Sequence, residues 1–478
     1  MMIFADANSW SFDLSQFDTV WKAILQICLL LGFLLLGNML RKLIPFLRKG
    51  NVPSALIGGL LLFLCNLAFE PLDFNLVDKR IMQIVTYHAL AIGFAAMAMK
   101  TAKKDNKTSF MHALQNGALT GGTYMLQGFV GILISLIFFW AGTNLFYDTG
   151  VLLPLGFGQG PGNALSWDIN FTVMDNNFQG NGSVGLTIAS IGFIVASIGG
   201  VAYINIFKHK KQIVAKQATI ERKVTDFEEE SEIADSESVD KMSIQVAWVL
   251  LSYALAFGIM FFFAKLTDWT GVALFNSVAW GFNFIWCVIT ATLIKLVLNL
   301  LFNKKVIKER YINNYQMDRI SGFAFDMMIV AGVAAIDIKV VVDYIWLIVA
   351  LCTAGTVVTF VYIRLICKTC FKGFEHEAFL TNFGALTGTA SNGMIFLREI
   401  DPNYETPMNN VYIVSQFPAM IFVAPLLLLL NLSAESLTGC YIALGVFVGL
   451  FILYTLFLIL TGKGIIFAKK NKEENQVE

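Results

Sequence analysis

Eleven apolar segments, each long enough to cross a membrane as a helix, divide this chain of 478 residues. A helix rises about 1.5 Å per residue, so roughly 20 apolar residues cross a hydrocarbon core. Charged residues make up only 14% of the chain, against about 25% in soluble domains. The sequence therefore predicts an all-α polytopic membrane protein. The predicted helices are 20–40, 53–70, 81–100, 114–141, 184–206, 244–265, 274–302, 319–337, 343–366, 410–431 and 437–461.

Lysine and arginine residues cluster after every second apolar segment. Positive residues close to the ends of membrane helices favour the cytoplasmic side. The pattern predicts an N-terminus outside the cell, with 1–19 as an extracytoplasmic segment, and a C-terminal tail, 462–478, inside. The clusters lie in 41–49, 100–107, 208–211, 304–310, 364–372 and 463–470.

An odd number of helices in each half gives the two halves opposite orientations. We therefore predict two inverted five-helix repeats, 20–206 and 244–431, followed by an additional transmembrane helix over 437–461. Inverted repeats are common in secondary transporters. The connecting segment, 207–243, carries eight carboxylates within 226–240 and few apolar residues, which is typical of a solvated cytoplasmic linker. A regulatory role for this linker is the alternative.

One short polar string occurs once in each half. The pattern Phe-Gly-x-x-x-Gly-x-Ala occupies 157–164 and returns 226 residues later at 383–390. Both strings lie between the fourth and fifth helices of their halves, in segments of about 150–183 and 376–409. Irregular backbone inside a membrane is tolerated only where protein buries it or where it lines a cavity. A matched pair of such segments indicates the binding site of a transporter.

Glycine and neutral polar residues dominate the first string. Broken helices leave free N–H groups at their N-termini, which suit a carboxylate, and free carbonyls at their C-termini, which suit Na⁺. A plain extracellular loop with turn glycines is the alternative. The substrate-binding candidates here are Gly158, Gln159, Gly160, Gly162, Asn163 and Ser166.

Hydroxyl groups are frequent in the second string. Hydroxyl and carbonyl oxygens suit a hard cation, so this string predicts a Na⁺ site, and Asn392 is a further candidate for the substrate. A cytoplasmic turn is the alternative. The Na⁺ candidates are Thr387, Gly388, Thr389, Ser391 and, from the eighth helix, Asp326.

Three polar residues outside the strings complete the set of candidates. Asp326 lies inside a predicted helix, where an ionisable residue is costly and often functional; a cation site, a proton site and a structural salt bridge are all open. Gln127, in the fourth helix, either faces the substrate or bonds across helices. Arg398 either clamps a carboxylate or belongs to a solvated pair with Glu399.

Several classes of function find no support in the sequence. A net charge of +0 argues against a nucleic-acid partner. Four scattered histidines form no constellation typical of an enzyme, and no GxxxxGK[ST] loop indicates a primary pump. An ion channel is a weaker hypothesis, because channels usually build short filters from rings of subunits.

Long stretches of the first half resemble bacterial sodium/glutamate symporters. The resemblance lies in IPFLRKGNVPSALIGGLLLFL (44–64), ALAIGFAAMAMKTAKK (89–104), LQGFVGILIS followed by LGFGQGPGNALSW, and SIGGVAYINIFKHK. It covers about 20–206 well and 244–431 more loosely. The two strings depart from the family, since the first lacks its histidine and the second is poorer in glycine and proline. Asp326 has no charged counterpart there.

The resemblance implies a symporter that imports glutamate or a related anionic amino acid. It further implies Na⁺ as the coupling ion, an elevator mechanism, a homodimer in the bacterial cytoplasmic membrane, and a moving core built from the third to fifth helices of each half. A proton- or sodium-coupled transporter of another organic anion, such as a di- or hydroxycarboxylate, is the alternative that Asp326 keeps open.

Overall fold

A computed structural model describes residues 21–72, 75–101, 110–143, 145–174, 178–210, 240–272, 274–402 and 404–463. These residues form helices joined by short connections, and no strand lies in the described ranges. The predicted N-terminal segment 1–19, most of the linker 207–243 and nearly all of the tail 462–478 lie outside the described residues.

The helices are α1 (Lys22–Leu43), α2 (Pro45–Lys49), α3 (Ser54–Phe69), α4 (Lys79–Met99), α5 (Phe110–Trp140), α6 (Leu152–Pro154), α7 (Pro161–Met174), α8 (Ser183–His209), α9 (Lys241–Thr270), α10 (Leu274–Gly281), α11 (Asn283–Asn303), α12 (Asn314–Ala334), α13 (Ile338–Cys370), α14 (Glu375–Thr387), α15 (Ala390–Ile400), α16 (Met408–Glu435) and α17 (Leu437–Gly462).

Ten helices in the described ranges are long and apolar enough to cross a membrane. This confirms an α-helical, multi-pass membrane protein. The predicted eighth span, 319–337, forms α12, but α12 is not among the ten. Three charged residues, Asp318, Arg319 and Asp326, account for its lower hydropathy.

The prediction of a single helix over 274–302 was wrong. The structure has two helices there, α10 and α11, which meet at Phe282. Phe282 has φ −116° and ψ 35°, outside the helical range, and it follows Gly281, a poor helix former. The ring of Trp167 lies 5.2 Å from the ring of Phe282, so α7 packs directly against this break.

Helix contacts follow the same pattern in the two halves. Helix α1 packs against α3, and α9 packs against α11. Across the halves, α3 contacts α12 and α11 contacts α4, while α4 pairs with α12 and α5 pairs with α13. When the two halves are exchanged, each of these contacts therefore maps onto another of them or onto itself. Small residues permit close packing here: a methyl group on Gly59 of α3 would lie 3.2 Å from the Val330 carbonyl of α12.

The buried side chains divide the helices into two bodies. One body, the scaffold body, contains α1–α4 and α9–α12. Helices α1, α3, α4, α9, α11 and α12 supply most of two apolar clusters, and Leu165, Leu186 and Phe193 of α7 and α8 also pack into one of them. The other, the hairpin body, contains α5–α8 and α13–α17 around one large apolar cluster. Helices α4 and α12 of the scaffold body contact α7 and α8 of the hairpin body. The third helix of each half thus packs with the first two helices of the other half, whereas the family resemblance groups it with the fourth and fifth.

Candidate functional site

The first polar string lies on a hairpin of two helical arms, 149–174, which we call the first hairpin. Its first arm runs through a 3₁₀ turn, α6 and a π-helical turn that ends at Gln159, and its second arm is α7. Gly160 separates the arms with φ 85°, which glycine adopts at little cost. Pro161 then begins α7 without needing an N–H partner. The sequence Gly-Pro therefore stops one helix and starts the next.

The second polar string lies on the second hairpin, 375–400, whose arms are α14 and α15. Helix α14 ends at Thr387, and α15 begins at Ala390. Between them, Gly388 has φ −135° and ψ −102°, and Thr389 is extended with φ −140° and ψ 166°. Extended backbone suits a β-branched residue. Both strings therefore break a helix, as the sequence predicted.

The two breaks lie next to each other. A methyl group placed on Gly160 would lie 3.8 Å from Cγ2 of Thr389 and 3.6 Å from Cε of Met328, on α12. Gly192 of α8 lies against both hairpins, because a methyl group there would contact the Thr387 carbonyl and lie 3.1 Å from Cδ1 of Phe157. The hairpin tips, α8 and α12 thus surround one point in the fold.

Two asparagines occupy equivalent places beside these breaks. Asn163 is the third residue of α7, and Asn392 is the third residue of α15. Asn163 has no exposed surface and Asn392 is 5% exposed. Both amide atoms of Asn163 and the Nδ2 of Asn392 are buried and have no hydrogen-bond partner in the described structure. Buried polar groups are usually paired, so these unpaired groups, one residue beside each break, require an explanation.

Further unpaired oxygens belong to the residues that flank the breaks. Oε1 of Gln159 ends the first arm, and Oγ1 of Thr389 precedes α15; both are buried, with no partner among the described residues. Thr389 holds the N-cap position of α15 but its side chain caps no backbone N–H. Helices α7 and α15 both begin here, and the N-terminus of each helix carries partial positive charge on its free N–H groups.

The other candidates in the first string serve packing. Gly158 lies against the ring of Tyr124 on α5, and Gly162 lies against Leu90 on α4, where a methyl group would come 2.6 Å from Cβ. Ser166 Oγ donates 2.9 Å to the Gly162 carbonyl within α7. These three residues allow α7 to approach its neighbours, and Ser166 has no free hydrogen for a ligand.

The Na⁺ candidates of the second string fall into two groups. Thr387 is fully buried, but its Oγ1 donates 2.6 Å to the Phe383 carbonyl one turn back. Ser391 is exposed on the first turn of α15. Gly388 and Thr389 form the break itself and leave the Thr389 hydroxyl free. Within the described ranges no three His, Cys, Asp or Glu side chains form a metal-binding group.

Gln127 links α5 to the second hairpin. Its Nε2 donates 2.8 Å to Thr359 Oγ1 on α13 and 3.1 Å to the Leu386 carbonyl, which belongs to the last turn before the break. The side chain is fully buried. Of the two alternatives left by the sequence, the structure has the cross-helix bonds, and the Oε1 of Gln127 has no partner in the described structure.

Asp326 and Arg398 lie apart from the tips. Asp326 is exposed, two residues before Met328, and side chains two apart on a helix point to nearly opposite faces. Arg398 is the ninth residue of α15, and its Nε donates 2.6 Å to the Tyr404 hydroxyl at the open end of the hairpin. The structure brings neither residue to Asn163 and Asn392.

The sequence reasoning missed two aspartates that fix how each hairpin ends. Asp168 is fully buried on α7 and accepts hydrogen bonds of 2.7 Å from the N–H groups of Gly182 and Gly185, at the start of α8. Asp401 follows α15 and accepts at 2.9 Å from the N–H of Thr406 before α16 begins. An aspartate shortly after each polar string was the available signal.

Ionisable residues are scarce near the breaks. The nearest along the hairpin helices are Asp168, seven residues after Pro161, and Arg398, eight after Ala390. A shallow apolar groove of about 790 Å³ lies elsewhere, between α5 and α13, and is lined by residues such as Ile134 and Trp346. The polar tips, and not this groove, form the candidate site.

Comparison with known proteins does not assign this chain to a family. The sequence matches no protein-family model, and no curated protein matches it.

Proposed function

We propose that this protein is a sodium-coupled secondary transporter that imports glutamate or a related anionic amino acid through a site between the two hairpin tips. The carrying observation is the pair of buried, unpaired asparagine amides, Asn163 and Asn392, each third in the helix that follows a break. An unpaired buried polar group costs about 1–3 kcal/mol, which a ligand that supplies the missing hydrogen bond removes.

The architecture in this proposal is a pair of inverted five-helix repeats with re-entrant hairpins, to which α17 is added. Two observations support it. The helix contacts match when the halves are exchanged, and clusters of Lys and Arg follow every second apolar segment of the sequence. The first hairpin then enters from outside the cell and the second from the cytoplasm of a bacterium. Their tips meet inside the membrane.

Neutral groups would bind the charged cargo. The substrate carboxylate accepts hydrogen bonds from the free N–H groups of α7 and α15 and from the amides of Asn163 and Asn392. Na⁺ is bound by oxygens only, and Thr389 Oγ1, Gln159 Oε1 and Asn163 Oδ1 are free oxygens beside the breaks. Anion and cation neutralise each other when both are bound, so only the loaded or the empty site crosses the membrane at low cost.

The movement in this proposal displaces the hairpin body against the scaffold body. Both hairpins, with α5, α8, α13 and α16, share one apolar cluster and can move as a unit. Helices α4 and α12 present Leu90 and Met328 to the tips. The scaffold body would also carry the contact between the two copies of a homodimer, because it remains static in an elevator mechanism.

Uptake of labelled glutamate into proteoliposomes tests this function. We expect accumulation when an inward Na⁺ gradient is imposed and none with an equal K⁺ gradient. The Asn163→Ala protein, reconstituted at the same density, is the matched control for leakage. Equal accumulation in the two gradients would contradict sodium coupling, and no accumulation of any labelled amino acid would contradict the substrate class.

A second substrate class has one observation in its favour. The described residues at the tips include no carboxylate to pair with the α-ammonium of an amino acid, since Asp168 caps α8 and Asp326 is directed elsewhere. A di- or hydroxycarboxylate needs no such partner. Competition by unlabelled dicarboxylates in the same assay separates the two classes.

A further inference from the structure

The second arms of the two hairpins differ in how much of each arm the rest of the protein covers. In α7 every residue over 161–168 is buried, and the first exposed residue is Ile169, the ninth of the helix. In α15 the second residue, Ser391, is already exposed, and exposure returns at Arg398 and Glu399. The second arm is therefore enclosed next to the tip of the first hairpin and open next to the tip of the second.

Helices of the scaffold body cover α7. Helix α4 contacts it through Leu90, since a methyl group on Gly162 would lie 2.6 Å from the Cβ of Leu90. Helix α10 covers the ring of Trp167, because a methyl group on Gly281 would lie 3.1 Å from its Cζ2. Helix α12 packs against α7 as well. The first hairpin is thus closed against the scaffold body on the side of its second arm.

Helix α15 has no such cover in the described structure. It packs against α14 and α8, where Gly393 lies against the Thr381 carbonyl and Phe396 lies against Gly200. By order along the chain, α12 is the counterpart of α4, and α2 is the counterpart of α10. Neither α12 nor α2 packs against α15 as α4 and α10 pack against α7. The two hairpins therefore stand in different positions relative to the scaffold body.

The exposed face of α15 is suited to water. Ser391, Ile395 and Arg398 are spaced by four and three residues, so they lie on one side of the helix. Ser391 and Arg398 are exposed and Ile395 is partly exposed, whereas Phe396 and Leu397 are buried on the other side. A charged side chain that faces hydrocarbon is costly. We therefore expect this face to meet water and not lipid.

This face leads from the hairpin tips to the basic side of the protein. Helix α15 begins beside Thr389, which lies next to Gly160 of the first hairpin. Near its other end, Glu399 pairs at 3.6 Å with Lys208, which belongs to the basic cluster that ends α8. The helix has 11 residues, so the face is about 15 Å long.

We propose that the exposed face of α15 lines an aqueous path from the hairpin tips to the cytoplasm, while the first hairpin closes the opposite side. This path rests on the proposed site between the tips and gives the side of the membrane to which that site opens here. An organic anion that leaves the tips passes Ser391 first and Arg398 last. The positive charge of Arg398 at the mouth attracts anions to the path.

Cysteine labelling of membrane vesicles tests the path. A membrane-impermeant maleimide is added to right-side-out and to inverted vesicles. The exposed positions Lys304→Cys and Asp268→Cys serve as references for the cytoplasmic and the outer side. We expect Ser391→Cys to react from the cytoplasmic side about tenfold or more faster than Ser166→Cys reacts from either side, because a minor conformation is populated at about 10% or less.

The matched control follows from the register of the two arms. Ser166 is sixth in α7 and Ile395 is sixth in α15, so Ile395→Cys should react like Ser391→Cys while Ser166→Cys stays protected. Wild-type protein gives the background of the seven native cysteines.

Two outcomes would overturn the path. One is protection of both Ser391→Cys and Ile395→Cys from the cytoplasmic side, and the other is rapid reaction of Ser166→Cys from outside. The labelling needs no glutamate and no Na⁺ gradient. A protected α15 in a protein that takes up glutamate would refute the path alone, and labelling as expected without uptake would count against the proposed function alone.

Discussion

The two hairpins share a sequence motif, but equivalent residues of the motif occupy different positions in the two hairpin structures. Gly388 forms the break of the second hairpin, whereas its counterpart in the motif, Gly162, lies inside α7 and packs against Leu90. The break of the first hairpin instead falls at Gly160, which Pro161 follows. Relative to the shared motif, the second helix therefore begins three residues later in the second hairpin.

The asparagines follow the helix starts and not the motif. Asn163 and Asn392 are each third in the helix after the break, although the motif aligns Asn163 with Thr389. Position relative to a helix N-terminus decides which group a side chain can reach. Functionally equivalent residues in the two hairpins are therefore found by counting from the break and not by aligning the motif.

Removal of either asparagine amide should have the largest effect on uptake. For Asn163→Ala or Asn392→Ala we expect transport to fall about tenfold or more, since a lost hydrogen bond to a charged ligand costs about 1.5–3 kcal/mol. The Tm should stay the same or rise, because neither amide Nδ2 has a partner to lose. Uptake assays and thermal unfolding on the same preparations measure both.

Ser166→Ala is the control for the asparagine variants, because its hydroxyl bonds only to its own helix. It should keep uptake within about twofold of the wild type, as is usual for changes away from a ligand. If one asparagine variant transported normally while the other failed, the hairpins would not be equivalent.

The second hairpin depends on a buried amide from α5. Gln127→Ala should lower the free energy of unfolding by about 1–3 kcal/mol, because the Leu386 carbonyl and the Thr359 hydroxyl lose their donor. Gln115→Ala is a matched change on the same helix, where Nε2 donates 3.1 Å to Thr461 Oγ1 on α17. We expect similar destabilisation in both variants but loss of uptake only in Gln127→Ala. Equal loss of uptake would mean that stability alone, and not the second hairpin, governs transport.

The first hairpin depends on glycine at its break. Gly160→Ala should lower the free energy of unfolding by about 1–2 kcal/mol, because a φ of 85° is unfavourable for a residue that has a side chain. Gly142 also has a positive φ, 80°, and no atom within 4 Å of an added methyl group, so Gly142→Ala places alanine at positive φ away from the tips. Only Gly160→Ala should lower uptake. Equal uptake in both variants would show that transport does not depend on the backbone conformation at Gly160.

The smallest expected effect concerns an ion pair where the scaffold body meets α8. Lys79 Nζ lies 2.7 Å from Asp337 Oδ2, and the Asp337 N–H donates 3.0 Å to Ser183 Oγ at the start of α8. Burial favours a higher pKa for Asp337, but the Lys79 ammonium and the Lys339 N–H hold that pKa below its usual value. The pair is partly exposed, so it contributes about 0.2–1 kcal/mol.

The sign of this pH effect follows from the lowered pKa. The pair stabilises the fold above the ordinary aspartate pKa of about 3.9 and loses its contribution as pH falls through the lower folded value. Asp337→Asn keeps the hydrogen-bond acceptor for α13 and should lose this small term near neutral pH, and its stability should converge with that of the wild type in acid. A gap that widened in acid would contradict the ion pair.

Apolar length and charge could be predicted from sequence because each depends on residues within one segment. Nine of the ten long apolar helices were predicted with small shifts at their ends, the tenth, α11, was predicted as part of a longer helix, and both polar strings break a helix as predicted. The split between α10 and α11 was not predicted, because one glycine, Gly281, does not by itself end an apolar helix, and the contact of Trp167 with Phe282 at the break is tertiary.

The membership of the site could be predicted only in part. Asn163, Asn392 and Thr389 were chosen for their residue type and have unpaired groups at the tips. Arg398 and Asp326 were chosen for their charge, but the helix face and the distance from the break separate them from the tips. Asp168 went unnoticed because its partners, two backbone N–H groups, have no signature in sequence.

Equilibrium binding of labelled glutamate to purified protein in Na⁺ tests the central claim, that both tips build one site. We expect one bound glutamate per chain in the wild type. Affinity should fall about tenfold in Asn163→Ala and likewise in Asn392→Ala, as loss of one hydrogen bond to a shared carboxylate implies. Two bound molecules per chain, with each single variant retaining one at wild-type affinity, would contradict a shared site.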